Sequence, residues 1–109
     1  RARPPLPEGA GEAVPTVGAT HPSTRLAELC RALGNPVRVA ILRYLRTQRG
    51  LRRCGEIVAQ LPRSQSTVSR HLKVLKAAGV VVSEADPPHV RYGVAPEVVE
   101  EFRRLVATL

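Results

Sequence analysis

The chain has 109 residues, 43% of them hydrophobic, which suits one domain with a modest core. A net charge of +8 and a pI near 11.0 point to a polyanionic partner. No apolar run is long enough to span a membrane, no signal-peptide pattern is present, and two cysteines make no disulfide framework; a cytoplasmic location is expected. The charge is unevenly placed: basic residues crowd between Arg31 and Ser83, where Glu56 is the only acid. The aromatics are Tyr44, Tyr92 and Phe102 alone. RNA and single-strand binders stack bases on several exposed rings, so this scarcity favours duplex DNA.

Residues 1–22 carry Pro4, Pro5, Pro7, Pro15 and Pro22 with Gly9, Gly11 and Gly18, and read as a flexible or extended arm. Residues 23–109 read as the folded domain. Ser23 is a candidate N-cap, and Leu26, Leu29, Cys30 and Leu33 follow at helical spacing until Gly34. On that stripe Cys30 reads as a small core residue. Asn35-Pro36 restarts the chain, because Asn caps well and Pro fits the first helical position. The second helix then runs to about Thr47, with Val37, Ala40, Ile41, Tyr44 and Leu45 inward, and Gly50 closes it. A short third helix is predicted from Gly55 to Leu61, followed by a turn at Pro62-Arg63.

Ser64 caps a fourth helix that ends at Gly79, a left-handed C-cap. Within it Val68, Leu72 and Leu75 line one side. Gln65, Ser66, Thr67, Ser69, Arg70, His71 and Lys73 crowd the rest, with no carboxylate among them. A merely solvated face mixes Glu with Lys. A face of hydroxyls, amide, imidazole and cations suits insertion between two rows of phosphates, where short groups reach base edges and cations meet the backbone. Ser64 joins this set of candidate DNA contacts at the helix start.

Val80, Val81 and Val82 begin a strand, Asp86-Pro87-Pro88 signals a turn, and Val90, Tyr92 and Val94 alternate with His89, Arg91 and Gly93 in a return strand. His89 and Arg91 on this hairpin are candidate phosphate or minor-groove contacts, and Tyr92 is a packing residue. A last helix from Glu97 to Leu109 places Val98, Phe102, Leu105, Val106 and Leu109 on one face. The whole is mainly α with a small β-hairpin: helix, helix, helix-turn-helix, hairpin wing, helix. The first and last helices carry more apolar surface than a small trihelical core needs. They are expected to pair with a second copy in a two-fold homodimer, which suits a palindromic duplex operator.

Several stretches resemble the ArsR/SmtB family of bacterial transcriptional repressors. They are Ala32-Leu33-Gly34-Asn35-Pro36-Val37-Arg38-Val39-Ala40-Ile41-Leu42, Ser64-Gln65-Ser66-Thr67-Val68-Ser69-Arg70-His71-Leu72, Leu75-Lys76-Ala77-Ala78-Gly79-Val80-Val81 and Val90-Arg91-Tyr92-Gly93-Val94. The resemblance covers about residues 25 to 109. It implies a dimeric winged-helix repressor that leaves its operator when an inducer binds, and for Arg38 a structural role first and a phosphate contact second. The chain departs from metal-sensing members. Where they have a Cys-Val-Cys-Asp-Leu-like motif, it has Arg53-Cys54-Gly55-Glu56-Ile57, and its last helix has no His. One subunit thus offers, within a short span, neither the thiolates a soft ion wants nor four zinc ligands, and no cofactor is implied.

Cys54 follows Arg52 and Arg53 at a helix start, which favours thiolate. It is therefore a candidate redox or electrophile sensor, with Cys30 as a second thiol. A leftover surface thiol, or one soft-metal ligand completed by another chain, remains the alternative. His21 in the arm is a candidate to approach the partner's site. Two other classes stay open. A basic RNA-associated protein would bind RNA strongly with no preference among duplex sequences. A thiol enzyme would need a base beside Cys54, and neither a neighbouring His nor a Cys-x-x-Cys pair is there.

Overall fold

The computed structural model describes residues 21–109. The elements are α1 (Pro22–Ala32), α2 (Pro36–Arg46), β1 (Arg52–Arg53), α3 (Cys54–Val58), α4 (Gln65–Ala77), β2 (Val81–Asp86), β3 (His89–Val94) and α5 (Pro96–Ala107). Of the arm expected over residues 1–22, residues 1–20 lie outside the described residues, while residues 21 and 22 belong to the start of a helix. Helix α1 starts at Pro22, and its cap is His21, whose Nδ1 accepts from the Ser23 amide at 3.0 Å. Ser23 is thus inside the helix rather than its cap, and His21 is engaged at a helix end rather than lying in an arm. Asn35 caps α2 as expected, its Oδ1 accepting from the Val37 amide at 2.8 Å. Helix α3 is shorter than predicted and starts one residue earlier, because Glu56 reaches back to accept from the Arg53 amide at 3.0 Å.

The core gathers one residue or more from every helix except α5. Leu29, Ile41, Ile57, Val68, Leu72 and Leu75 are all fully buried, and Val80 and Val81 close the set from the wing side. Cys30 does not belong to it, contrary to the sequence reading; it is exposed. The buried face of α1 centres on Leu29 and Ala32, and Cys30 sits about 100° round the helix from Leu29.

The wing is a three-stranded antiparallel sheet in the order β1-β3-β2 rather than a bare hairpin. The two-residue β1 pairs Arg52 with Tyr92 and Arg53 with Arg91, a strand too short to leave a periodic signal in sequence. Beside it the Leu51 side chain lies over Gly93, where a β-carbon would run into it. Gly93 is consequently buried, and the expected in-out alternation of β3 is broken there. Val90, expected inward, is exposed near the hairpin end, as is Ala85 opposite it. Helix α5 packs Val98, Phe102 and Leu105 against the core from outside, yet none of its residues is buried; Val106 is exposed, and so is Leu109, which lies beyond the helix end at Ala107 rather than within it as expected. Among the described residues no helix is long and apolar enough to cross a membrane.

Two arginines tie the layers together. Arg25 of α1 spans both carboxylate oxygens of Glu101 on α5 at 3.0–3.2 Å and donates through Nη1 to the Ala78 carbonyl at 2.9 Å, the C-cap of α4. Arg38 of α2 donates to the Ala32 and Arg31 carbonyls at 2.6 and 3.1 Å, satisfying the C-terminal end of α1. The structural role implied for Arg38 is this one.

Truncating the centre of the core is expected to be severe. Leu72→Ala should lose about 2–5 kcal/mol, read from the urea midpoint with an unchanged slope, because the close-packed site collapses only partly around the missing atoms.

Candidate nucleic-acid interface

Helix α4 is built to hold one face still and show the other. Its start is fixed by Ser64, whose Oγ accepts from the Thr67 amide at 3.3 Å. Its end is fixed by Gly79 at φ +82°, a conformation that costs glycine little and an L side chain more. There the Val80 amide donates to the Leu75 carbonyl and the Gly79 amide to the Lys76 carbonyl, both at 3.0 Å, closing the helix in a Schellman motif. Between these ends Val68, Leu72 and Leu75 have no exposed surface at all. With that stripe locked, the opposite face has one orientation.

The candidate contacts divide by what they already bind. Gln65, Ser69, Arg70 and Lys73 are exposed and make no side-chain hydrogen bond or ion pair among the described residues. Ser66 is exposed, its Oγ 3.2 Å from that of Ser64. Ser64 is occupied by capping and also donates to Thr67 Oγ1 at 2.9 Å, so neither hydroxyl is as available as sequence alone implies. His71 is half-buried on the flank toward α2, with Nδ1 3.3 Å from an Arg38 guanidinium nitrogen. Burial, then the cations Arg38, Arg70 and Arg63, push its pKa below the ordinary histidine value.

On the wing, His89 is exposed near the turn, but Arg91 is not the free cation that sequence suggested. It lies between Glu84 at 3.0 Å and Asp86 at 3.6 Å, and Asp86 also takes Arg53 at 3.3 Å. The register favours this: Glu84 and Arg53 both pair with Arg91 from opposite sides, and Asp86, the register partner of His89, lies diagonally from Arg91 on the same face as Glu84, so the four side chains form one ladder. Two positive and two negative charges cancel there. A cleft of about 530 Å³ separates the wing from α4, lined by Gln65, Ser69, His89, Tyr92, Cys54 and their neighbours.

Residues 33–84 match the family model described as a helix-turn-helix domain. The HTH-type transcriptional repressor SmtB of Mycobacterium tuberculosis is 46% identical over 85 residues, covering 74% of this chain and 61% of that repressor. An HTH-type transcriptional regulator of Methanocaldococcus jannaschii is 33% identical over 85 residues, covering 78% of this chain and 94% of that one. In three dimensions the fold matches an ArsR-like transcriptional regulator from Rhodococcus sp. RHA1, with a TM-score of 0.69 at 26% identity and 79% of each chain covered. The chain belongs to the ArsR/SmtB family of winged-helix transcriptional regulators.

Within this ArsR/SmtB scaffold the thiols behave differently from their sequence context. Cys54 is half-buried at the first position of α3, and burial pushes its pKa up rather than down. The neighbouring arginines do not offset this: Arg53 points its charge at Asp86, and Arg52 turns to Gln48 and Glu56. The lowered pKa expected from the Arg-Arg-Cys run is not found: burial raises it, and both cations are directed at other partners. Sequence reasoning also missed two residues that position the interface. Arg25 had no signal, since its partners Glu101 and Ala78 lie far along the chain. Arg53 read as part of a basic run, whereas it bridges α3 to the wing.

The two thiols should be distinguishable by alkylation. Iodoacetamide near neutral pH is expected to modify exposed Cys30 before half-buried Cys54, as peptide mass spectrometry over a time course will show. Faster labelling of Cys54 would mean that its thiolate is stabilised after all.

Proposed function

We propose that this chain acts as a homodimeric, sequence-specific duplex-DNA-binding repressor of transcription rather than as an enzyme. The observation that carries the reading is the row Gln65, Ser69, Arg70 and Lys73, exposed and without a side-chain partner among the described residues, on a helix whose opposite face is completely buried. Such a row supplies short donors and acceptors for base edges with cations for phosphates. The repressor SmtB, similar over most of this chain, supports the same reading. The dimer is supported by α5, an amphipathic helix that leaves Val106 exposed and buries none of its residues in one copy. Pairing through α1 and α5 presents two α4 helices about a two-fold axis, which a palindromic operator matches.

A second element of the proposal concerns release from DNA. Cys54 lines the cleft between the wing and α4, beside Gln65 and Ser69. Any group added to its sulfur, whether by an electrophile, an oxidant or a soft metal ion completed by another subunit, enters the space between the two DNA-facing elements. Its raised pKa makes this a slow chemistry at neutral pH.

The test begins with duplexes selected from a random-sequence pool. Affinity for the selected duplex should fall steeply with salt, with a log–log slope of roughly −0.9 per phosphate neutralised. Arg70→Ala should lower that slope by about 1. The charge-neutral pair Arg91→Ala with Glu84→Ala should leave it unchanged. Equal affinity for single-stranded RNA, or a flat salt dependence, would overturn the reading in favour of a different basic partner.

For assembly, Phe102→Asp is expected to abolish the dimer or the fold, because it buries a charge without a partner. Light scattering and circular dichroism together read the result. A folded dimer in this variant would remove α5 from the interface.

A further inference from the structure

We propose that Arg38 holds His71 in the neutral Nε2–H tautomer, and that His71 in this form donates one uncharged hydrogen bond to a DNA phosphate oxygen. The inference rests on the DNA-binding reading above and extends it to a flank of α4 that the exposed row does not include. A guanidinium has donors only, so the 3.3 Å contact requires the His71 Nδ1 to be the acceptor. A neutral imidazole that accepts at Nδ1 carries its proton on Nε2. That nitrogen has no partner among the described residues, and His71 is only half-buried.

Arg38 is not free to swing away, since its other nitrogens hold the Ala32 and Arg31 carbonyls at 2.6 and 3.1 Å. The lock therefore runs from the C-terminal end of α1, through α2, to the middle of α4. The charged groups that face His71 are Arg38 of α2, Arg63 in the turn before α4 and Arg70 on α4 itself. No carboxylate bonds to it among the described residues. An imidazolium here would set an Nδ1 proton against the Arg38 guanidinium with nothing to compensate it. His71 lies beside α2 rather than on the outermost face of α4, a position that meets the backbone of a duplex and not its base edges. A neutral donor adds affinity without releasing a counterion, so it leaves the salt slope alone.

Long-range proton–nitrogen NMR of the unliganded parent protein tests the lock without DNA. Near neutral pH, His71 should show an unprotonated Nδ1 and a protonated Nε2. An Nδ1–H tautomer or an imidazolium overturns the proposal. Binding to a random-sequence duplex tests the contact, with the affinity ratio between the parent and His71→Gln isolating this residue from His89 and His21. The ratio should be roughly threefold to tenfold, with equal salt slopes, and constant as pH falls from about 8 to about 6. In an Arg38→Gln background the same ratio should grow toward acid pH, because the imidazole is released to protonate against phosphate. A parent ratio of one, or one that rises in acid, overturns the neutral contact. If the parent binds no duplex at any pH, the DNA reading itself falls, and the phosphate contact with it.

Discussion

The structure depends on one constraint: Val68, Leu72 and Leu75 are completely excluded from water, and everything else about α4 follows from that. A helix rotated by a third of a turn would expose those three side chains and bury Arg70 or Lys73, at a cost of several kcal/mol on either account. The polar face of α4 is thus directed by its apolar face. The Ser64 cap and the Gly79 Schellman closure set the length over which the orientation holds. The exposed row of Gln65, Ser69, Arg70 and Lys73 is rigid because its reverse side is core.

Arginine serves two opposite purposes in this chain. Arg25 and Arg38 are structural: each bridges helix-end carbonyls to a group on another element, and together they hold α4 at its middle and at its C-terminal end. Both originate on the α1–α2 side, and Arg25 also grips Glu101 of α5. Glu101 is held below the usual carboxylate range by that hydrogen-bonded pairing. The contribution of this pair to stability is present above the ordinary Glu pKa and fades as pH falls through the lowered value. The helices proposed to carry the dimer are therefore wired to the helix proposed to read DNA by charge-assisted hydrogen bonds, in addition to apolar contact. Arg70 and Lys73, by contrast, have no protein partner among the described residues and keep their charge for a polyanion.

The wing shows how a basic chain can still carry a locally neutral surface. Arg53, Arg91, Glu84 and Asp86 compensate one another across three strands. The ladder ties α3 to the hairpin and pairs Arg91 with two carboxylates, while His89 near the hairpin turn is exposed. Cys54 sits beside this network, its thiol set by burial rather than by the arginines that precede it.

The helical order, the caps at Asn35 and Ser64, the left-handed Gly79 and the two faces of α4 were all legible in the sequence. Each is a local matter: a cap bonds an amide two or three residues away, and a helical stripe repeats every three or four. The free part of the candidate interface, Gln65, Ser69, Arg70 and Lys73, was legible for the same reason. What the tertiary structure alone decided were the pairings between residues distant in the chain. Only folding brings Arg91 against Glu84, Arg53 against Asp86, Arg38 against His71 and Arg25 against Glu101. It also decided which of two neighbouring residues on α1 faces the core, since Leu29 and Cys30 fit the periodicity equally well. The strand β1 exists because β3 passes beside it, not because two arginines favour extended chain. Sequence periodicity records which face of an element is apolar; the charge left over after folding depends on which opposite charge arrives, and that is a property of contact.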